Sequence, residues 1–169
     1  MVGPYENFFI TSAGASAAIL GLLVVAVTVV NADDENPTTR ELRTVLAGSA
    51  FVALVDIFLV SITALTGDSV VFGLSSLAMA IVGLLATRRL IPRAKQAGNF
   101  DRSSRTRELN IAFALFSVLA YPAQLGLAVA LLANAHSAAL QRALVLVIVA
   151  LYCSALGRIW VVTGITRRA

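Results

Sequence analysis

The chain has 169 residues, of which 59% are hydrophobic and 13% are charged, and it carries a formal net charge of +4. Because soluble domains carry about 25% charged residues, this composition excludes an ordinary soluble protein and predicts an integral membrane protein. A single cysteine, Cys153, excludes a disulfide framework and a thiolate metal cluster.

Five apolar segments divide the chain, and each is long enough to cross a hydrocarbon core of about 30 Å as a helix. They cover residues 8–30, 42–65, 70–91, 109–132 and 140–165. The first is predicted to be a retained span, because its apolar run exceeds the roughly 7 to 15 residues of a signal peptide. The alternating pattern of a membrane β-barrel is missing from the sequence. The sequence therefore predicts one all-α domain, residues 1–169, with five transmembrane helices.

Basic residues are concentrated in every second connection between the spans. Two follow span 1, seven lie in a basic loop (88–108) after span 3, and two end the chain: Arg40, Arg43, Arg88, Arg89, Arg93, Lys95, Arg102, Arg105, Arg107, Arg167 and Arg168. The positive-inside bias identifies this side as the cytoplasm. We therefore predict an outside N-terminus and a cytoplasmic C-terminus.

The basic loop also indicates a partner. Without interleaved aromatic residues or a recognisable binding module, it favours anionic lipid headgroups over nucleic acid. Arg88, Arg89, Arg93 and Lys95 lie closest to the membrane and are the predicted headgroup ligands. Because the chain has only one lysine among its 13 basic residues, its composition is typical of a GC-rich bacterial genome, and we expect the inner membrane of a bacterium.

Turn residues between the spans predict where several helices begin and end. A capping box at 38–41 predicts that the second helix begins near Thr38. Gly67 is predicted to end that helix, and Asp68 or Ser69 to cap the third. Ser137 is the predicted cap of the fifth helix.

Small residues on two spans predict close helix packing, since helices in lipid associate through small and polar faces. They are Gly14, Ala17 and Gly21 on span 1, with Thr28 on the same face, and Ser76 and Gly83 on span 3. The pattern leaves open whether these faces pack within one chain or between subunits. We expect a homo-oligomer, with a larger membrane complex as a further possibility.

The segment 7–27, NFFITSAGASAAILGLLVVAV, resembles the first helix of a group of small multi-span bacterial membrane proteins with a TSAGASA-type motif. The resemblance covers one span of the five. It implies a bacterial origin and a tight contact of the first helix, and no particular activity.

Two spans carry polar residues at heptad spacing, which keeps them near one face of each helix. They are Ser49, Asp56 and Thr63 on span 2, and Asn110, Ser117 and Gln124 on span 4. Tyr121 lies near mid-depth on span 4 and can join them. Such faces form either a hydrated path or a hydrogen-bonded seam.

Asp56 and Arg158 are the two charged residues predicted deep within the membrane. Measured from Arg43 and Arg167, their depths differ by about 6 Å, and their side chains lean toward each other. Three interpretations remain open. They are a structural ion pair between spans 2 and 5, a functional site where Asp56 binds a cation or proton and Arg158 tunes it or binds an anion, or independent satisfaction, with Arg158 snorkelling inward and Asp56 protonated.

Enzyme chemistry is not predicted, because the spans lack a nucleophile with a base, a carboxylate pair and buried histidines. No cofactor and no metal are expected. The preferred hypothesis is an oligomeric membrane protein that passes an ion or small solute along the polar faces of spans 2 and 4, with Asp56 and Arg158 as its site. The alternative is a non-conducting accessory or scaffold subunit that binds lipid or a protein partner.

Overall fold

The computed structural model describes residues 5–33, 37–98, 104–134 and 137–164, which form five helices. These are α1 (Glu6–Asp33), α2 (Pro37–Leu65), α3 (Ser69–Gly98), α4 (Ser104–Ala133) and α5 (Ala138–Gly164). All five are long and apolar enough to cross a membrane. The predicted all-helical class and the five segments are therefore confirmed.

Several helix ends are explained by local residue preferences: a proline in the first turn, a glycine after the last turn, or a capping side chain. The second helix begins at Pro37, because proline suits the first turn, where its missing N–H needs no partner. Gly67 has a φ of 73°, a left-handed conformation that glycine adopts without steric cost. Asp68 accepts a hydrogen bond from the N–H of Val70 at 2.8 Å and so caps α3. The predicted cap of α5 is confirmed, since the Ser137 hydroxyl accepts a hydrogen bond from a backbone N–H of its first turn.

The basic loop predicted at 88–108 is largely helical. The third helix continues through Pro92 to Gly98, and α4 already begins at Ser104. A proline removes only one hydrogen bond from a helix, and Pro92 is exposed, so its ring meets no packed neighbour. Residues 99–103 lie outside the described part of the chain.

Four helices surround a common interior. Helix α2 packs against α3 and α5, α4 packs against the same two helices, and α1 packs on the outside of α2. In the most apolar 18-residue stretch of each helix, 56% of the residues are buried in α2 but only 17% in α1. The short turn 66–68 defines one end of the bundle, here called the turn end. The opposite end, where α1 leads to α2 and α3 to α4, is called the loop end.

Large apolar side chains cover the outside of the bundle while polar ones lie within it. Leu119 is 71% exposed and Leu146 is 68% exposed, whereas Asp56, Gln124 and Arg158 are each at most 2% exposed. This distribution is the reverse of that in a soluble protein, and it suits a chain surrounded by lipid.

The small residues of α1 and α3 have different surroundings. On α3, Ser76 is fully buried, and a Cβ added to Gly83 would overlap the ring of Tyr121, so both residues lie against neighbouring helices of the same chain. On α1, Gly14, Ala17 and Gly21 are exposed, and a Cβ added to either glycine would meet nothing within 4 Å. The interpretation of this face as a contact within the chain is therefore wrong.

The side of α1 that packs on the bundle is a neighbouring one. It carries two serines and three apolar residues that are all buried: Phe9, Ser12, Ala13, Ser16 and Leu23. The bulky apolar side chains at its two ends anchor α1 on the bundle. The glycines of α1 are consequently turned away from the rest of the chain.

Candidate functional site

A buried carboxylate lies at the centre of the bundle, in what we call the carboxyl site (Asp56, Gln124 and Ser76). Gln124 Nε2 donates a hydrogen bond to Asp56 Oδ1 at 2.9 Å and lies 3.5 Å from the backbone carbonyl oxygen of Ser76. These three residues come from α2, α4 and α3. The heptad-spaced polar faces of spans 2 and 4 therefore meet at one pair of residues, Asp56 and Gln124.

The carboxyl site retains unused hydrogen-bonding capacity. Asp56 Oδ2, Gln124 Oε1 and the hydroxyl of Ser76 are buried and have no hydrogen-bond partner among the described residues. The hydroxyl of Ser61, about one and a half turns along α2 from Asp56, is in the same situation. Each such group costs about 1 to 3 kcal/mol of stability when it stays without a partner, so this polar interior is costly for the fold to retain.

The second charged group has its own polar surroundings, which we call the arginine site (Arg158, Ser117 and Ser154). Arg158 Nη2 donates hydrogen bonds to the hydroxyls of Ser117 on α4 and, at 3.0 Å, of Ser154 one turn away on α5. The side chain is only 2% exposed. A guanidinium in this position is held by hydroxyl groups within the bundle.

Tyr121 separates the two sites. It is 2% exposed and lies within electrostatic range of both Asp56 and Arg158. Counted from the turn end at 1.5 Å per residue, the backbone of Asp56 is about 14 Å deep, that of Tyr121 about 18 Å, and that of Arg158 about 30 Å. Because an arginine side chain leans toward the start of its own helix, the guanidinium lies closer to Tyr121 than its backbone does.

The predicted direct ion pair between Asp56 and Arg158 is not found. The one hydrogen bond described for the carboxylate comes from Gln124, and its other oxygen has no hydrogen-bond partner in the described chain. Counted from the turn end, the backbones of Asp56 and Arg158 differ in depth by about 16 Å, whereas the sequence estimate was about 6 Å, so the two side chains do not meet. Among the described contacts, the carboxylate accepts from Gln124, and the guanidinium donates to Ser154 toward the turn end, so inward snorkelling of Arg158 is not found either.

The remaining members of the two polar faces have local partners. The hydroxyl of Ser49 donates to the carbonyl of Leu46 on its own helix at 2.8 Å. Thr63 and Ser75 share a hydrogen bond that joins α2 to α3 between the carboxyl site and the turn end. Asn110 lies within α4, but its side chain is outside the described part of the structure.

The predicted lipid-headgroup residues all lie on the loop-end part of α3. Arg88 and Arg89 are exposed. The backbones of Arg93 and Lys95 continue the same helix, while their side chains are outside the described part of the structure. The exposed pair is free to reach an anionic surface at this end of the bundle.

Sequence reasoning missed two serines of the interior. Ser154 precedes Arg158 by four residues and therefore lies on the same helix face, a signal that could have identified it. Ser76 was assigned only to packing, because nothing in the spacing of span 3 shows that its carbonyl faces an amide of span 4. Among the described residues, no three His, Cys, Asp or Glu side chains come together as metal ligands.

Two cavities lie outside this interior network. A groove of about 270 Å³ separates α1 from α5, with lining residues Phe8, Thr11, Ser12, Ala15, Ile148, Val149, Tyr152 and Cys153. A smaller cavity of about 20 Å³, room for roughly one water, lies at the turn end beside Asp68 and Gln141. Neither is lined by residues of the carboxyl or arginine sites.

No protein-family model, curated protein or solved structure matches this chain. The functional interpretation therefore depends on the geometry of the interior alone.

Proposed function

We propose that this chain is a multi-pass membrane protein that passes an ion or small solute through the interior of its own α2–α5 bundle. The path follows the polar faces of α2 and α4, with Asp56 and Arg158 as its charged sites. One observation carries the proposal: a buried carboxylate on α2 meets an amide on α4 and keeps an oxygen atom without a hydrogen-bond partner in the described chain.

The position of the carboxylate favours the interior of one subunit over the axis of an oligomeric ring. Asp56 is 1% exposed within a single chain, so a ring of copies would not bring it to a shared axis without opening the bundle. The direct contact of 2.9 Å between Asp56 and Gln124 also leaves no water-filled lumen at that depth. Passage therefore requires either rearrangement of these side chains or a species that moves along hydrogen bonds.

An intramembrane carboxylate is costly to retain without a role. Insertion of an aspartate or arginine at the centre of a membrane helix costs about 2.5 to 3.5 kcal/mol, and such residues mark ion and proton pathways in many membrane proteins. In this bundle both groups face inward and both have polar neighbours. This arrangement supports a path rather than two accidental charges.

The proposal includes an orientation and a membrane. Arg88 and Arg89 at the loop end favour a cytoplasmic location of that end, in contact with anionic headgroups. The turn end and the start of α1 would then face outward. The composition of the chain supports the inner membrane of a bacterium.

Flux measurements in liposomes test the proposed function. Vesicles that contain the whole protein should show a flux of protons, monovalent cations or anions above that of empty vesicles, and Asp56→Asn should reduce it at least tenfold. Asp68→Asn is the matched control, because it removes an exposed carboxylate while asparagine still caps α3. A flux unchanged by Asp56→Asn, or absent for every ion tested, would overturn the proposal.

The exposed small face of α1 favours a second candidate, a non-conducting accessory or scaffold subunit. Gly14 and Gly21 have open space beside them in the described chain, which suits close approach by a helix of another subunit. For this function, the protein would associate stably in membranes while showing no flux of any ion. The two candidates are thus separated by the same liposomes.

A further inference from the structure

The carboxyl site contains two buried oxygen atoms that both lack a hydrogen-bond partner among the described residues. These oxygens are Asp56 Oδ2 and Gln124 Oε1. They belong to the two groups that already share a hydrogen bond, from Gln124 Nε2 to Asp56 Oδ1 at 2.9 Å. The two oxygens without partners therefore belong to a carboxyl group and an amide group that are already hydrogen-bonded to each other.

A carboxylate and a primary amide cannot remove this deficiency by themselves. An ionised carboxylate has only acceptor oxygens, and the amide oxygen is also an acceptor, so the second pair of atoms has no hydrogen between them. A protonated carboxyl group has one O–H donor. A proton on Asp56 Oδ2 would allow the acid to donate to Gln124 Oε1 while Oδ1 still accepts from Nε2, so that a single proton would provide both oxygens with a hydrogen bond.

The neighbouring groups are compatible with a proton at this position. The titratable side chains that face Asp56 in the described structure are Tyr121 from α4 and, beyond it, Arg158 from α5. From α3 the neighbouring group is the neutral Ser76, whose hydroxyl lacks a hydrogen-bond partner among the described residues and can take part in proton transfer. Helix α1 packs on α2, and the titratable side chains described at that helix, Glu6 in its first turn and Tyr5 just before it, lie at the turn end.

A proton also fits the closed geometry better than a metal ion does. A hard metal cation takes several oxygen ligands at once and must shed its water to reach them. Asp56 and Gln124 are in direct contact, and a proton needs no lumen because it passes from one hydrogen-bonded group to the next. On either side of the carboxyl site lie hydroxyl groups, those of Thr63 and Ser75 toward the turn end and that of Tyr121 toward the arginine site.

We propose that the carboxyl site binds a proton on Asp56 Oδ2, held by a hydrogen bond to Gln124 Oε1, and that this acid–amide pair is the proton-binding step of the path. The inference rests on the proposed function and specifies its ion. When the proton leaves Oδ2 for a neighbouring hydroxyl or water, Asp56 gains one negative charge. The O–H bond to Asp56 breaks and an O–H bond to the acceptor forms. A hydroxyl acceptor passes its own proton to the next group and stays neutral, whereas a water acceptor carries the positive charge as hydronium.

Infrared spectroscopy of the whole protein in lipid vesicles tests the site directly. At neutral pH, the unchanged protein should show the carbonyl stretch of a protonated carboxylic acid that shifts in D₂O. Asp56→Asn should abolish this band, and Asp68→Asn should leave it unchanged. Gln124→Leu should move the band to the higher frequency of a carboxylic acid without a hydrogen-bonded amide.

Three results would overturn the inference. The first is absence of the band in folded protein at neutral pH, and the second is its persistence in Asp56→Asn. The third is an ionised-carboxylate band that replaces it and responds to sodium or potassium, because a metal cation would then occupy the site. If Asp56→Asn fails to fold, as judged by circular dichroism, Asp56→Glu is the second variant. It keeps the carboxyl group and should keep an acid band at an altered frequency, and a spectrum without any acid band would again exclude the proton.

Proton flux distinguishes failure of the inference from failure of the proposed function. With a pH-sensitive dye in the vesicles, an acid band without any flux would leave the proton site standing and remove the transport function. A flux of another ion that depends on Asp56, without the acid band, would leave transport standing and remove the proton. The expected result is an acid band together with proton flux, and Gln124→Leu should lower that flux at least tenfold.

Discussion

The interior of the α2–α5 bundle and the outer face of α1 both carry small and polar residues at helical spacing, yet their surroundings are opposite. In the interior, Gly83 touches Tyr121 and Gln124 bonds to Asp56. On the outer face of α1, Gly14 and Gly21 have open space beside them in the described chain. The same sequence pattern thus marks a filled core in one region and an uncovered surface in the other.

This difference separates two roles of polar and small residues in lipid. Within the bundle, they satisfy hydrogen bonds and allow close approach, so a change there should affect the stability of a single chain. On α1 they contact only the surroundings of the chain, so a change there should leave its stability unaltered. Four predictions, from the largest expected effect to the smallest, test this contrast.

Replacement of glycine by leucine should reduce stability far more at Gly83 than at Gly14, and this is the largest difference that we expect. Gly83→Leu forces a side chain into the ring of Tyr121, and overpacking of this kind costs about 1 to 3 kcal/mol or more. Gly14→Leu is the matched control, because both changes exchange glycine for leucine within a helix. Thermal unfolding of the monomer in detergent should show a clear loss for Gly83→Leu alone. Equal losses would contradict the contrast between core and surface.

Ser117→Ala should destabilise the bundle by removing an acceptor from Arg158. Hydrogen bonds to charged groups contribute about 1.5 to 3 kcal/mol, and Ser154 remains as a partner, so we expect a loss toward the lower end of that range. Ser49→Ala is the control, since that hydroxyl bonds only to its own helix in the described structure. Chemical unfolding in detergent measures both. A loss no greater than that of Ser49→Ala would show that the arginine site contributes nothing to stability.

Double-mutant cycles should show stronger coupling between Asp56 and Gln124 than between Asp56 and Arg158. Hydrogen bonds between membrane helices average about 0.6 kcal/mol and reach about 1.7 kcal/mol, which is the expected coupling energy for the first pair. The second pair is separated by Tyr121, so its coupling should be smaller. Unfolding free energies of Asp56→Asn, Gln124→Leu, Arg158→Leu and the two double variants provide the comparison. A larger coupling energy between Asp56 and Arg158 would instead support a direct ion pair between these residues.

Gly21→Leu should have the smallest effect on the single chain and act only on association. A leucine at this exposed position meets open space. The free energy of unfolding of the monomer should therefore change by no more than about 0.5 kcal/mol. If α1 contacts another subunit, cross-linking or energy transfer between labelled copies in lipid should fall at least fivefold. Unchanged self-association would place any subunit contact elsewhere.

Sequence alone determined the number of helices, the all-helical class and the helix ends at the turn end of the bundle, whereas it placed the loop-end limits of α3 and α4 several residues too short. Apolar runs of about 20 residues can satisfy their backbone in lipid only as helices, so the five segments followed from composition. Gly67, Asp68 and Ser137 were identified from rules that act within a few residues of the chain. The two polar faces were also visible, because heptad spacing keeps residues on one side of a helix.

Only the tertiary structure decided which of these faces turn inward and what they meet. Helix rotation depends on all neighbouring helices at once, so spacing could not tell that the small face of α1 is exposed or that Ser76 lies beside Gln124. Nor could it place Tyr121 between Asp56 and Arg158, because the relative depths of residues on different helices depend on how those helices pack against one another. Local rules fix the elements, whereas the pairing of polar groups within the bundle is a property of the whole arrangement.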